Sequence, residues 1–484
     1  MSRLLPILVF LLLSAQGLYS QEWIRSVGTS LDEMGYDIDA TADGGFIVGG
    51  RSGGPLGYNY WVARFDSDGT KLWDSSYGHA GKINLIWSIE PASNGTFLLA
   101  GYSEGIRDQA LMYAIDSVGR TLWSKELDYE QDDHAHFLAE IPGGYYMGGH
   151  TDSRGDFSGD MWLVRMDTAR NVLWEKTYSL GSDHVHAGRP TLDGGCILAG
   201  HTSGGAGEQF YVVKANDTGG VEWQHDFSSG PQSYDSPYSV VLMRDGGYAV
   251  TGMTVDLGAG TDSLWLIVLN HDGDVVIDRH YGATISTTGW SGIQTSDGGF
   301  LLSGSASMGE GKMEEMFVCK TDPAGAVEWQ RTIGAEGNEV AYSGLETKDG
   351  YLIVGYTESP SLMQASGGDM LIVKLNRKGD VSGMRTESFG TRGRTVSAWP
   401  NPVTASGNVS IELEAERAGT YPIRIVDARG TVVRTLPPVV VAVPGSYRAT
   451  WDLADDGAGR VPAGAYFYTI EGPNWTRTGK IVVQ

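Results

Sequence analysis

A chain of 484 residues with 59 Asp and Glu against 35 Lys and Arg carries a formal charge of −24 at pH 7. Such a chain repels a phosphate backbone, which proteins hold through Lys and Arg, so nucleic acid is excluded as a partner. Only 19% of the residues are charged, and 69 glycines, 14 tryptophans and 23 tyrosines describe a globular all-β chain of short strands and tight turns.

The first segment in chain order is a targeting signal. Arg3 precedes the apolar run Leu4 to Leu13, and the small residues Ala15, Gly17 and Ser20 follow, so residues 1-20 read as a signal peptide. No later stretch holds the roughly 18 uninterrupted apolar residues of a spanning helix. The mature chain is therefore expected to have no transmembrane segment and to be secreted or held at the outer cell surface.

Next comes a repeat. DGGFIVGG from Asp43, NGTFLLAG from Asn94, PGGYYMGG from Pro142, DGGCILAG from Asp193, DGGYAVTG from Asp245, DGGFLLSG from Asp297 and DGYLIVG from Asp349 recur every 48 to 52 residues. A period in this range signals a repeat architecture, and the intervening runs are strand-like rather than helical. About ten residues after each turn a second apolar run ends in Asp66, Asp116, Asp167, Asn216, Asn270, Asp322 or Asn376. Three residues on stands a glycine, with Arg170 the exception, and in five repeats a tryptophan follows: Trp73, Trp123, Trp174, Trp223 and Trp329. These Asp and Asn residues read as turn caps; their loops lack the further oxygen donors of a calcium-binding EF-hand.

Four strands per repeat and seven repeats predict a seven-bladed β-propeller over residues 21-390. An eighth candidate outer strand, EWIRSVG from Glu22, resembles LWDSSYG from Leu72. We expect it to complete the last blade and so close the ring, because the competing stretch Val381 to Gly390 has no Trp. Cys196 and Cys319 fall in apolar strand patterns of non-adjacent repeats and are expected to stay unpaired.

The repeats resemble a broad group of bacterial secreted propellers that share the phrase Asp-Gly-Gly-aromatic followed by Asp-x-x-Gly-x-x-x-Trp. They are similar, more faintly, to kelch and pyrroloquinoline-quinone propellers, although no quinone-contacting residues can be placed here. The sialidase Asp-box does not fit, since its Asp, Gly and Trp are spaced differently. After a linker at 391-397, residues 398-484 form a separate module. WPNPVTASGNVSIELE from Trp399, IRIVDARGTVVRTL from Ile423, Trp451-Asp452, GRVPAGAYFYTI from Gly459 and the final KIVVQ resemble type IX secretion sorting domains and the immunoglobulin-like domain of flagellar hook-capping proteins. The resemblance implies an immunoglobulin-like β-sandwich, engagement of the type IX secretion machinery of a Bacteroidota-like bacterium, and removal of this domain on release or surface attachment. The unspecialised alternative is an accessory sandwich that stays attached.

Candidate site residues come from counting back from each turn. Seven residues upstream, or six in the third repeat, stand Tyr36, Trp87, His136, His186, Tyr238, Trp290 and Tyr342. Three residues earlier are Glu33, Asn84, Asp133, Asp183, Asp235, Thr287 and Glu339. Where the chain enters the innermost strand, such residues can ring one mouth of the channel, where aromatic faces pack on a sugar and carboxylates accept its hydroxyls. The same residues can instead pack between blades and cap the entering loops. An extracellular glycan or a protein is the expected ligand.

Two adjacent repeats each carry His-x-His, His134 with His136 and His184 with His186. Side chains two apart on a strand share a face, so with Asp133 and Asp183 they can approach a divalent transition metal. The alternative is that repetition copied the histidines. No nucleophile elbow, phosphate-binding glycine loop or zinc-protease motif occurs. The enzyme reading is therefore a polysaccharide hydrolase or lyase using carboxylates at the channel mouth, and it ranks behind recognition or scaffolding.

Overall fold

The computed structural model describes residues 22–484 except 30, 55–56, 156–158, 204–206, 232, 259, 283–285, 308–312, 365–366, 382–385, 388–395, 400–402, 405–406, 416–418, 428–430, 442–444, 458 and 473–474. The signal segment 1–20, most of the 391–397 linker, the Pro-Asn-Pro opening at 400–402 and the hairpin turn at 428–430 thus lie outside the described residues. The described chain is strand and loop apart from one short 3-10 turn at Ser93–Gly95. It divides into two compact units, Met1–Ser388 and Phe389–Gln484. Among the described residues no helix is long and apolar enough to cross a membrane.

The first unit contains seven antiparallel sheets. In the first, Glu33–Ala40, Phe46–Gly54, Gly57–Phe65 and Lys71–Tyr77 follow one another from innermost to outermost. The innermost strands touch in a closed cycle, each against the next and the seventh against the first, which makes the unit a seven-bladed propeller. Middle strands lie between neighbouring sheets and are apolar on both faces; Phe97–Ser103 and Gly350–Thr357 are buried throughout. Outer strands alternate, as in Lys71–Tyr77.

The last sheet comprises Glu339–Thr347, Gly350–Thr357 and Asp369–Asn376, and Trp23–Val27 completes it. Pairing runs from Trp23 opposite Lys374 to Val27 opposite Met370. The surplus Trp strand thus closes the ring as expected. Within the competing stretch, Thr386–Glu387 instead adds to the outside of the sixth sheet, against Thr332 and Ile333.

The Asp-x-x-Gly-x-x-x-Trp phrase is an interlock between successive blades. The Asp66 carboxylate caps its turn by accepting from the backbone N–H of Asp68 at 3.0 Å and Thr70 at 2.8 Å. The Trp73 indole donates to the Ser117 carbonyl in the next repeat's turn at 3.1 Å, and its ring lies where a Cβ on Gly119 would come within 2.9 Å. Gly69, Gly119, Gly219, Gly273 and Gly379 each leave room for the preceding blade's tryptophan, whereas Gly325 faces Ile277 and Tyr281, since the outer strand Val275–Tyr281 has no tryptophan. Arg170, the exception, takes the left-handed backbone with φ 66 and sets its guanidinium 5.6 Å from the Trp123 ring.

In the second unit, one sheet is formed by Val396–Trp399, Val409–Ala415 and Gly445–Trp451, and the other by Gly419–Asp427, Val432–Val441, Gly464–Gly472 and Trp475–Val483. A core containing Trp451, Tyr421, Ile411 and Ile470 joins them as a β-sandwich. Ile423 and Ile425 are buried and Arg424 is exposed, the alternation that a half-buried strand requires. In the propeller, Cys196 and Cys319 are both free and buried, and burial pushes the Cys319 thiol up to about 12.

Candidate functional site

A hairpin strand ordinarily pairs straight through with its neighbour. In every blade the innermost ladder slips by one residue at the same place: between Gly35 and Asp37, Ile86 and Ser88, Ala135 and Phe137, Val185 and Ala187, Pro237 and Ser239, Gly289 and Ser291, and Ala341 and Ser343. The skipped residues are Tyr36, Trp87, His136, His186, Tyr238, Trp290 and Tyr342. A β-bulge leaves its extra residue unpaired and re-aims that side chain. Here it does so once per blade.

The seven rings meet in an unbroken circuit. Centroid separations run 5.6 Å for Tyr36–Trp87, 5.6 Å for Trp87–His136, 5.7 Å for His136–His186 and 5.0 Å for His186–Tyr238. The circuit continues at 4.5 Å for Tyr238–Trp290 and 5.2 Å for Trp290–Tyr342, and returns at 5.1 Å from Tyr342 to Tyr36. These distances lie within the favourable range for aromatic pairs, each worth roughly 0.5–1.5 kcal/mol beyond area burial.

All seven line one cavity of about 540 Å³, a volume typical of small-ligand sites. It extends along the inner strands toward the Asp-Gly-Gly hairpins, where Asp37, Asp39, Ser88, Arg189, Ser239 and Ser343 join the wall. The Asp37 carboxylate accepts from the Ile89 N–H at 3.0 Å and the Ser343 hydroxyl at 3.2 Å, yet burial still raises its pKa. Burial, reinforced by the charge of Asp37, pushes Asp39 up to about 6. Glu90 is pushed up to about 7 by burial, against the pull of Arg189, whose guanidinium lies 2.5 Å away from the fourth blade. Burial also raises the phenols of Tyr36, Tyr238 and Tyr342, so they remain neutral hydroxyls. The cavity thus presents π faces, hydroxyls, carboxyls and one guanidinium.

The upstream polar set does not join this wall. Glu33, Asn84, Asp133, Asp183, Asp235, Thr287 and Glu339 are all buried at the start of the inner strands and bond the loops that enter them. Glu33 accepts from the Thr29 N–H and the Ser52 hydroxyl; Asp133 accepts from the hydroxyls of Thr151 and Ser153. Asp183 accepts from the N–H groups of Leu180 and Gly181; Asp235 from Ser229 and Ser233; Glu339 from the Ala335 N–H and the hydroxyls of Thr357 and Ser359. The expected acidic ring at the mouth is thus a set of loop clamps. The reason is strand geometry: residues three apart along a strand point to opposite faces.

The four histidines singled out in the sequence do converge, and two more join them. His134 lies 4.3 Å from His150 between centroids, His150 lies 4.3 Å from His184, and His201 lies 5.0 Å from both His184 and His186. Among the described residues the close carboxylate contacts come not from Asp133 or Asp183 but from Asp108, 3.0 Å from His134 Nε2, and Glu208, 3.8 Å from His201 Nε2, while Asp152 and Asp183 act on His184 through their charge. Burial lowers the pKa of all six imidazoles, and neighbouring imidazoles lower those of His136, His150 and His186 further. They are therefore neutral. His150 and His201 each follow the closing glycine of a repeat, Gly149 and Gly200, which was the only sequence sign of them.

No protein-family model matches the chain, and no curated protein matches it. Among solved structures it is similar to Sqt1 from Chaetomium thermophilum, with 13% identity, 81% of this chain and 97% of that one covered, and a TM-score of 0.44. The WD40 domain of Toxoplasma gondii coronin gives 7% identity, coverage of 76% and 97%, and a TM-score of 0.43. PorZ, a surface component of the type IX secretion system of Porphyromonas gingivalis, gives 9% identity, coverage of 93% and 81%, and a TM-score of 0.22. These are distant superpositions, and the propeller assignment rests on the chain's own sheets and their closure.

Proposed function

We propose that this chain is a secreted or surface-displayed recognition propeller that binds a carbohydrate, or side chains of a protein partner, in its channel cavity. The supporting observation is the closed circuit of seven bulge-borne rings around that cavity. Aromatic faces offer the apolar side of a pyranose a flat surface, and Asp39, Ser239 and Ser343 on the same wall provide partners for its hydroxyls. Export rests on the segment 1–20 and on the resemblance of the C-terminal module to type IX sorting domains.

Glycan-array screening followed by calorimetry on the mature protein tests the reading. A saccharide hit weakened roughly tenfold or more by Trp87→Ala or Trp290→Ala, about 1.4 kcal/mol or more, is the expected result. Full affinity in both variants, or no glycan and no protein ligand, removes the cavity from the account. Polysaccharide turnover would instead favour the hydrolase or lyase reading, with Asp39 the carboxyl on the cavity wall whose raised pKa suits a general acid.

A further inference from the structure

Six of the ten histidines of this chain meet in the third and fourth blades, and they fall into two trios that differ in one respect. In the fourth blade His186 Nε2 and His201 Nδ1 already share a hydrogen bond of 2.9 Å. In the third, His136 Nε2 and His150 Nδ1 are buried without a hydrogen-bond partner, although both residues are more than nine-tenths buried. Buried polar atoms are nearly always satisfied, and a pair of exceptions in adjacent imidazoles calls for an explanation.

The two orphaned residues and a third imidazole converge. One ligand nitrogen from each of His134, His136 and His150 lies within 4.8 Å of the other two. A tetrahedral zinc ion about 2.1 Å from each nitrogen holds neighbouring nitrogens about 3.4 Å apart, a closure that small side-chain rotations supply. We propose that His134, His136 and His150 bind one divalent transition-metal ion of borderline softness, with zinc the first choice, and leave a further coordination position open.

The surroundings fit that role. His134 and His136 share one face of the inner strand and His150 sits opposite His134 on the next, so a single hairpin carries all three donors. Asp108 engages His134 Nε2, the carboxylate contact that orients a metal-bound imidazole through its other nitrogen. Neutral imidazole is the ligand form, so no proton has to be displaced. Three imidazoles suit zinc, cobalt, nickel or copper better than the oxygen-seeking calcium or magnesium. His136 is also a member of the aromatic circuit, stacked on Trp87 with an interplanar angle of 3°, which places the ion beside the cavity wall. The site does not depend on what the cavity binds.

Untagged mature protein, stripped with a chelator and titrated with Co2+ and then Zn2+, provides the test. The expected result is one equivalent of Co2+ with the intense visible absorption of four-coordinate cobalt, displaced by Zn2+. His136→Ala and His150→Ala abolish it, while His201→Ala keeps it. No stoichiometric metal in the wild type, or loss in His201→Ala with retention in His150→Ala, overturns the assignment. Anomalous diffraction at the zinc edge from Zn2+-soaked wild-type crystals needs no variant. A peak between the three side chains supports the site, and a peak elsewhere or none overturns it.

Discussion

Trp23 and Gly69 lie against each other across the seam of the propeller: a Cβ on Gly69 would come within 2.3 Å of the Trp23 indole. Trp23 belongs to the strand that completes the last blade and Gly69 to the first blade's outer turn. The contact repeats, between chain ends, the interlock that Trp73 makes with Gly119. Trp23→Ala should therefore destabilise the propeller by about 2–4 kcal/mol, toward the low end of the usual cost for a packed Trp because the ring is only partly buried. Gly69→Ala, with φ +76 as well as the clash, should cost about 1–3 kcal/mol. The exposed Leu72, 52% accessible, is the control, and Leu72→Ala should stay within about 0.5 kcal/mol. Urea unfolding followed by tryptophan fluorescence reads all three. If Trp23→Ala shifted the midpoint no more than Leu72→Ala, the N-terminal strand would not be the clasp.

The separation of ring residues from loop clamps predicts opposite phenotypes. Asp133→Ala removes the acceptor of the Thr151 and Ser153 hydroxyls. Asp235→Ala removes the acceptor of the Ser229 N–H and one partner each of the Ser229 and Ser233 hydroxyls, which keep Thr254 and the Gly230 carbonyl. Each should cost about 1–3 kcal/mol of stability, the usual penalty for unpaired buried groups, and leave the affinity of any cavity ligand within a factor of about two. Trp290→Ala should do the reverse, with affinity falling and the unfolding midpoint moving less. A stable Asp133→Ala protein with abolished binding would return the acidic set to the cavity.

Much of this was legible in the sequence, and the bulge marks where legibility stopped. Turn spacing gave the blade count, and the surplus Trp strand gave the closure. The seven ring positions followed from a constant offset to the hairpin. What no offset revealed is that each ring residue drops out of its ladder. A straight ladder back from Ile141 opposite Gly144 would set His134 against Thr151; the bulge at His136 moves it to His150. The same slip at His186 sets His184 against His201 instead of Thr202. The two missing histidines were hidden by a one-residue register change, since register errors relocate every later partner. The acidic positions failed for the related reason that strand alternation, rather than proximity in sequence, decides which face a side chain shares.

Asp39 ties stability to pH. Its carboxyl is pushed up to about 6 from an ordinary value of 3.8, so the folded state holds its proton more tightly than the unfolded chain does. The stabilisation from that proton is complete below about pH 4 and disappears as pH rises through about 6. Asp39→Asn keeps the neutral form at every pH. Relative to wild type, it should gain roughly 1–2 kcal/mol between pH 4 and pH 8, less than the whole shift implies because the side chain is only partly buried. Thermal unfolding of both proteins across this range checks it, and parallel pH profiles would show that Asp39 does not titrate abnormally.

The Asp of the Asp-Gly-Gly turn has a second role that a buried lysine exposes. Lys320, with its side chain 1% accessible, places Nζ 2.9 Å from Asp297 and 3.3 Å from Glu328 and donates to the Thr321 carbonyl at 2.6 Å. Lys214 with Asp193 and Lys374 with Asp349 repeat the arrangement. Burial alone would raise Asp297, but the hydrogen bonds from Lys320 and Thr295 outweigh it and hold the carboxyl at about 2. Its contribution is therefore present above about pH 4 and lost as pH falls toward 2. Asp297→Ala should destabilise at pH 7, because it removes one counter-ion from a buried ammonium. Lys320→Met, which fills the same space without a charge, should come out near neutral or slightly stabilising, since a desolvated pair often repays little more than it costs. The two variants should also separate at low pH: between pH 4 and pH 2, Lys320→Met should lose less stability than wild type. If Lys320→Met were instead the more damaging substitution at pH 7, the ion pair would be a net source of stability in the blade.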